Sequence, residues 1–177
     1  MKYEGNRNDN PLLLAMIEFD SGDAKRVQHF IKVYQFAKLI GEEEGLDEKT
    51  RYILETAAIV HDIGIRPAER KYGSCNGRLQ EQEGPAEAER LLSALGYDAD
   101  VINRVSYLVG HHHTYTDVDG MDYRILLEAD FLVNLYEDGC GKDAVRSAYE
   151  NIFRTESGKR ICRTMFGVGI ENDAEDE

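Results

Sequence analysis

His61 and Asp62 stand side by side in Ile59-Val60-His61-Asp62-Ile63-Gly64, where an apolar segment runs out. Three further signals answer to them. His29 lies upstream in an equally apolar stretch, His111-His112-His113 forms a cluster, and Asp130 sits inside Leu126-Leu127-Glu128-Ala129-Asp130-Phe131-Leu132-Val133. Imidazole nitrogens and carboxylate oxygens converging from buried segments suit a divalent cation of intermediate hardness. Each signal also has a plainer reading. A His-Asp pair can simply end a helix, its imidazole complementing the C-terminal dipole and its carboxylate meeting local donors. A buried histidine is usually hydrogen-bonded core, and a run of three can be surface. Asp130 resists such treatment, because burying an unpaired carboxylate costs on the order of several kcal/mol unless a cation or strong donors meet it. Taken together, the four signals point to a metal site.

Helices must position these groups. After a polar start, Pro11 suits the first turn of a short helix carrying Leu12 to Ile17, which Asp20-Ser21-Gly22-Asp23 breaks. From Ala24 to Ile40, Val27, Ile31 and Tyr34 form one stripe, and His29, Val33, Phe36 and Ile40 form another. A helix apolar on most sides is central, so His29 is expected to point into protein. Gly41 to Gly45 closes it. Asp47 caps the next helix, whose Ile53-Leu54, Ala57-Ala58 and His61 share a buried face until Gly64 and Pro67 stop it. Arg66 to Glu83 reads as a long connection, a length more often functional than inert. Gln80 to Pro85 leads into a helix ending at Leu95-Gly96, and Asp98 caps another whose stripes project onto His112 and His113. Gly120 precedes a long helix to Tyr136 that carries Asp130. Two more, Gly141 to Phe153 and Glu156 to Met165, follow. No alternating strand stands out. The expectation is an all-α fold: an N-terminal segment with a short helix over 1–22, one helical domain over 23–167, and an acidic, disordered tail over 168–177.

The ordered series His29, His61-Asp62, His111-His112, Asp130 resembles the HD-domain superfamily of metal-dependent phosphohydrolases. The resemblance runs from about Asp23 to Gly167. It is nearest to small stand-alone bacterial HD proteins, whose signatures Leu79 to Pro85, Gly110 to Tyr115 and Leu127 to Glu137 are similar to. It implies a single-domain HD-type helical bundle with the metal between central helices, held by His29, His61, Asp62 and Asp130. Two-metal relatives add histidines, with the HD aspartate bridging. His111 and His112 fit their His-His step, but Gln80 stands where an intervening histidine would fall, with Glu83 one turn later. The second-metal candidates are therefore His111, His112 and Glu83, the last also readable as a first-turn acid favouring a helix N-terminus. Ile65-Arg66 replaces the lysine that many relatives carry after the HD step.

The expected chemistry is attack of an activated water on phosphorus, with Asp62, His111, His112 and Glu83 as catalytic candidates. One or two divalent ions (Mn, Fe, Ni, Co, Zn or Mg) are implied. Arg66, Lys71 and Arg78, with Lys159 and Arg160 further on, are the basic candidates for phosphate. The substrate expected is a nucleotide-like phosphomonoester or phosphoanhydride. The alternatives are hydrolysis of a dinucleoside polyphosphate or alarmone, or metal and nucleotide binding without turnover, as a sensor. A net charge of −13 argues against nucleic acid and anionic membrane surfaces as partners. Cys75, Cys140 and Cys162 make no disulfide framework, and no apolar signal segment or membrane span is evident, so a cytoplasmic setting is expected. A homodimer is compatible with this reading.

Overall fold

Asp23, Asp47, Asn76 and Thr155 each begin a helix by turning a side-chain oxygen onto backbone N–H groups that have no carbonyl partner. Asp23 accepts from Arg26 N at 3.1 Å, Asp47 from Lys49 N and Thr50 N at 3.0 Å, Asn76 from Leu79 N at 3.2 Å, and Thr155 from Gly158 N at 2.9 Å. In the computed structural model, which describes residues 8–168, these caps belong to a fold of nine helices. They are α1 (Asn10–Phe19), α2 (Ala24–Glu43), α3 (Glu48–Val60), α4 (Ile65–Tyr72), α5 (Gly77–Ala94), α6 (Ala99–Val109), α7 (Met121–Glu137), α8 (Lys142–Asn151) and α9 (Glu156–Phe166). No strand occurs among the described residues, so the fold is all-α. The expected tail falls almost wholly outside the described residues.

The centre is α3, buried at every position from Tyr52 to Val60. It packs on α2, α6 and α7, and α2 also lies along α7. Phe30, Val33, Ala37 and Ile40 of α2, Ile53, Leu54, Ala57 and Ala58 of α3, and Ile125, Leu126, Ala129 and Leu132 of α7 share one core. Leu12 and Met16 bring α1 into it. Only one face of α2 is buried; Ile31 and Leu39 are exposed, so the helix is less enclosed than its composition suggests.

Three boundaries differ from the sequence reading. Helix α2 does not end at Ile40: Gly41 lies inside it, and a Cβ there would stand 3.1 Å from Leu54 Cδ2. That glycine permits close packing of α2 on α3 instead of terminating a helix. The presumed connection from Arg66 to Glu83 is two helices, with Pro67 in the first turn of α4 and Pro85 inside α5. Only Gly73 to Asn76 is a break, begun by Gly73 in the left-handed region at φ +67°. Packing of α5 on α4 and α6 outweighs the local cost of an internal proline, about 3 kcal/mol. Lastly, Asp98 occupies the N-cap position of α6 without a capping side-chain hydrogen bond.

Between α3 and α4 the chain turns through His61 to Gly64. A Cβ on Gly64 would meet Gln80 O at 2.3 Å and Gly84 N at 2.9 Å. The bare backbone lets α5 press against the His61-Asp62 turn, which is how Gln80 comes to lie beside it. The cysteines are free.

Glu128 on α7 shows how this fold treats a buried carboxylate without a cation. Fully buried, it accepts from Arg154 N at 2.6 Å, Thr155 N at 3.0 Å and Thr155 Oγ1 at 2.5 Å, which fastens the start of α9 to α7. Glu128→Ala strands those donors and leaves a cavity. It should destabilise the fold by about 2–4 kcal/mol, lowering the melting temperature by roughly 5–15 °C. A thermal melt followed by circular dichroism checks this, and an unchanged melt would refute the anchoring role.

Candidate metal centre

Three histidines turn the same atom inward because a backbone carbonyl or a carboxylate occupies the other. His61 Nδ1 donates to Ala58 O at 2.8 Å and His112 Nδ1 to Val109 O at 2.8 Å. A carbonyl only accepts, so each Nδ1 carries the proton and each Nε2 keeps a free lone pair. His29 follows the same rule with a carboxylate, its Nδ1 lying 2.9 Å from Glu137 Oε2 while Lys32 holds the other carboxylate oxygen. Such a carboxylate behind an imidazole orients it and raises its basicity as a ligand.

The inward atoms converge. His29 Nε2 is 3.2 Å from His61 Nε2 and 3.2 Å from Asp130 Oδ1, and His61 Nε2 is 3.6 Å from Asp130 Oδ1. Asp62 straddles two clusters. Its Oδ2 lies 3.5 Å from both His29 Nε2 and His61 Nε2, and its Oδ1 lies 3.5 Å from His112 Nε2. Donor atoms of His29, His61 and Asp130 form one group, each within 4.8 Å of the others, and those of Asp62, His112 and His113 form a second. Buried His112 Nε2 has no hydrogen-bond partner. Acceptor lone pairs facing one another in a buried place need a positive charge between them, so this donor set fits a divalent metal.

Without metal the positive charge must be protons. Burial opposes charging His61, yet the carboxylates of Asp62 and Asp130 outweigh it and push its pKa up to about 9. His29 is raised too, its burial outweighed chiefly by Asp130. Burial would raise Asp62 and Asp130, but the surrounding imidazoles hold both well below the usual carboxylate range. His113 goes the other way, lowered to about 4 by burial and by His112.

The four residues expected to hold the first metal, His29, His61, Asp62 and Asp130, are brought together. The second set is rearranged. His112 faces Asp62, but His111 does not join: its Nδ1 donates to Tyr107 O at 2.7 Å and its ring stacks on Tyr107. His113 takes the place expected of His111. The helical projection from Leu108 and Val109 onto His112 and His113 therefore holds, and it is the His111-His112 step implied by the resemblance that does not. Gln80 steers His113. Its Nε2 donates to Cys75 O at 2.6 Å, leaving Oε1 to accept from His113 Nε2 at 3.0 Å. Glu83 is turned away, bonded to Lys71 and Tyr72.

The basic residues expected for phosphate are engaged or elsewhere. Arg66 ties α4 to Asp20 and Ser21, Lys71 pairs with Glu83, Arg160 pairs with Glu43, and exposed Arg78 does not line the cleft over the metal cluster. Lys25 and Arg26 line it instead. They stand four and three residues before His29, one helical turn along the same face, which is the spacing signal that marks them. Asn134 and Glu137 follow Asp130 by four and seven residues and were legible in the same way.

The family model of the HD domain matches residues 26–139 of this chain. Among solved structures, a predicted HD superfamily hydrolase from an uncultured Thermotogales bacterium is similar, with 25% identity and a TM-score of 0.61. The match covers 90% of this chain and 86% of that one. No curated protein matches. No helix among the described residues is long and apolar enough to cross a membrane.

Two outcomes follow from the geometry. If Asp62, His112 and His113 hold a second ion, His112→Ala and His113→Ala each remove one bound equivalent that His111→Ala retains; elemental analysis after metal loading checks this, and loss in His111→Ala would reverse the assignment. Because His61 titrates near pH 9 without metal, an incoming ion must displace a proton. Apparent affinity should therefore rise as pH increases from about 7 to about 9, levelling above the His61 value, with proton release on binding. Calorimetry in buffers of different ionisation enthalpy measures both, and pH-independent binding across that window would exclude a proton-filled cluster.

Proposed function

Because the chain belongs to the HD-domain family, we propose that it is a metal-dependent phosphohydrolase acting on a small phosphate ester. The observation that supports this is Asp62, whose two carboxylate oxygens face separate groups of imidazoles at 3.5 Å. A divalent cation bound here supplies Lewis-acid chemistry: it lowers the pKa of water from about 15.7 towards 7 and neutralises charge on phosphoryl oxygens.

The protein's own residues do the rest. His29, His61, Asp62 and Asp130 would hold the first ion, and Asp62, His112 and His113 a second. Glu137 keeps the His29 proton on Nδ1, and the carbonyls of Ala58 and Val109 do the same for His61 and His112. His113 stays neutral at pH 7, its Nε2 proton given to Gln80 and its Nδ1 lone pair free. The partly exposed Asp62 carboxylate borders the cleft, so it orients what enters. Lys25 and Arg26 place positive charge at the rim, where an anionic ester approaches. The similar solved protein is described as a predicted hydrolase, which accords with this reading.

The test is phosphate release by the metal-loaded chain from a panel of phosphate esters, set against Asp62→Ala. The wild type should turn over at least one ester, and the variant should lose metal and activity by on the order of 10³-fold. Metal retained in full by a wild type that releases no phosphate from any ester, yet binds nucleotides, would instead favour the sensor.

A further inference from the structure

The metal cluster lies at the floor of a cleft of about 310 Å³ formed by the start of α2, the turn into α4, α5 and the end of α7. Its lining is unusual for a small-molecule site, which is ordinarily dominated by apolar and aromatic side chains. Ile65 is the one apolar residue in it, and none is phenylalanine, tyrosine or tryptophan. The nearby ring of Tyr115 packs edge-on against Phe131 and is not part of the lining.

Most of the polar lining is already committed. Asp23 caps α2, Arg26 pairs with Glu69, and Glu137 holds His29 and Lys32. The side chains of Lys25, Asn134 and Asp138 make no hydrogen bond or ion pair among the described residues. They offer the cleft a cation, a neutral amide that both donates and accepts, and a carboxylate acceptor. A nucleobase has two flat faces that favour aromatic or broad apolar cover, and the cleft offers no aromatic ring and Ile65 as its one apolar side chain. A chain of hydroxyl groups, each a donor and an acceptor, matches the amide and the carboxylate.

We propose that the substrate is the phosphomonoester of a small polyhydroxylated alcohol, such as a polyol or an open or cyclic sugar, and not a nucleotide. This rests on the phosphohydrolase reading of the same cluster. Lys25 meets the phosphate, while Asn134 and Asp138 bind the hydroxyls. In the reaction the oxygen of water bonds to phosphorus and the bond from phosphorus to the ester oxygen breaks. The ester oxygen leaves with a proton, giving inorganic phosphate and the free alcohol.

The experiment compares ribose 5-phosphate with AMP, which differ by the nucleobase, and glycerol 3-phosphate with p-nitrophenyl phosphate, using the full chain loaded with Mn²⁺. The expected result is a kcat/KM at least about tenfold higher for ribose 5-phosphate and glycerol 3-phosphate, a preference that Asn134→Leu erases without change in metal content. AMP or p-nitrophenyl phosphate turned over best would overturn the substrate class and leave the phosphohydrolase reading standing. If no ester releases phosphate, calorimetric binding of the same four compounds decides. Tighter binding of ribose 5-phosphate than AMP keeps the specificity of the cleft and overturns the hydrolase. Binding of neither, or of AMP over ribose 5-phosphate, overturns the proposed specificity as well.

Discussion

Lone pairs pointing at lone pairs in a buried place are the constraint on which this molecule turns. His29, His61 and His112 each present Nε2 to a space that also contains the oxygens of Asp62 and Asp130. No rotation relieves this, because the Nδ1 atoms are held by Glu137, Ala58 O and Val109 O. A positive charge must occupy the centre, whether protons or a metal, and the pushed-up His61 registers the former. The arrangement is therefore prepared for a cation before one arrives.

Holding those groups together is the work of the apolar scaffold. His29 comes from α2, the His61-Asp62 turn from the end of α3, and Asp130 from α7, and these three helices pack directly on one another. Glu128 and Asp130 stand two residues apart on α7 and are both buried, yet their chemistry differs. Glu128 is satisfied by backbone donors at the start of α9, and Asp130 meets only imidazoles. Burial alone therefore does not mark a metal ligand; the partner does. The same contrast separates His111, stacked on Tyr107, from its neighbours His112 and His113.

Around this centre the cleft is lined mainly by polar and charged residues. Its rim pairs Lys25 and Arg26 from the first turn of α2 with Asn134, Glu137 and Asp138 from the last turns of α7. The N-terminal end of α2 and the C-terminal end of α7 thus border the cleft together, with α5 closing the third side through Gln80.

The helical class, most helix boundaries and the first cluster were legible in the chain itself. Hydrophobic spacing of three and four residues places His29, His61 and Asp130 on buried faces, and Asp47 announces a helix start that the structure contains. What the chain alone determined is local: periodicity and caps act over one or two turns, and a residue's type is enough to read them. The rest belongs to tertiary structure. Gly41 reads as a stop and Pro85 as a helix entry until the packed fold places both inside helices. Whether Glu83 joins the cluster or pairs with Lys71, and which cations reach the cleft, depend on turns between helices whose directions are set by distant contacts. A turn has no period to extrapolate, so only the packed fold decides where its side chains go.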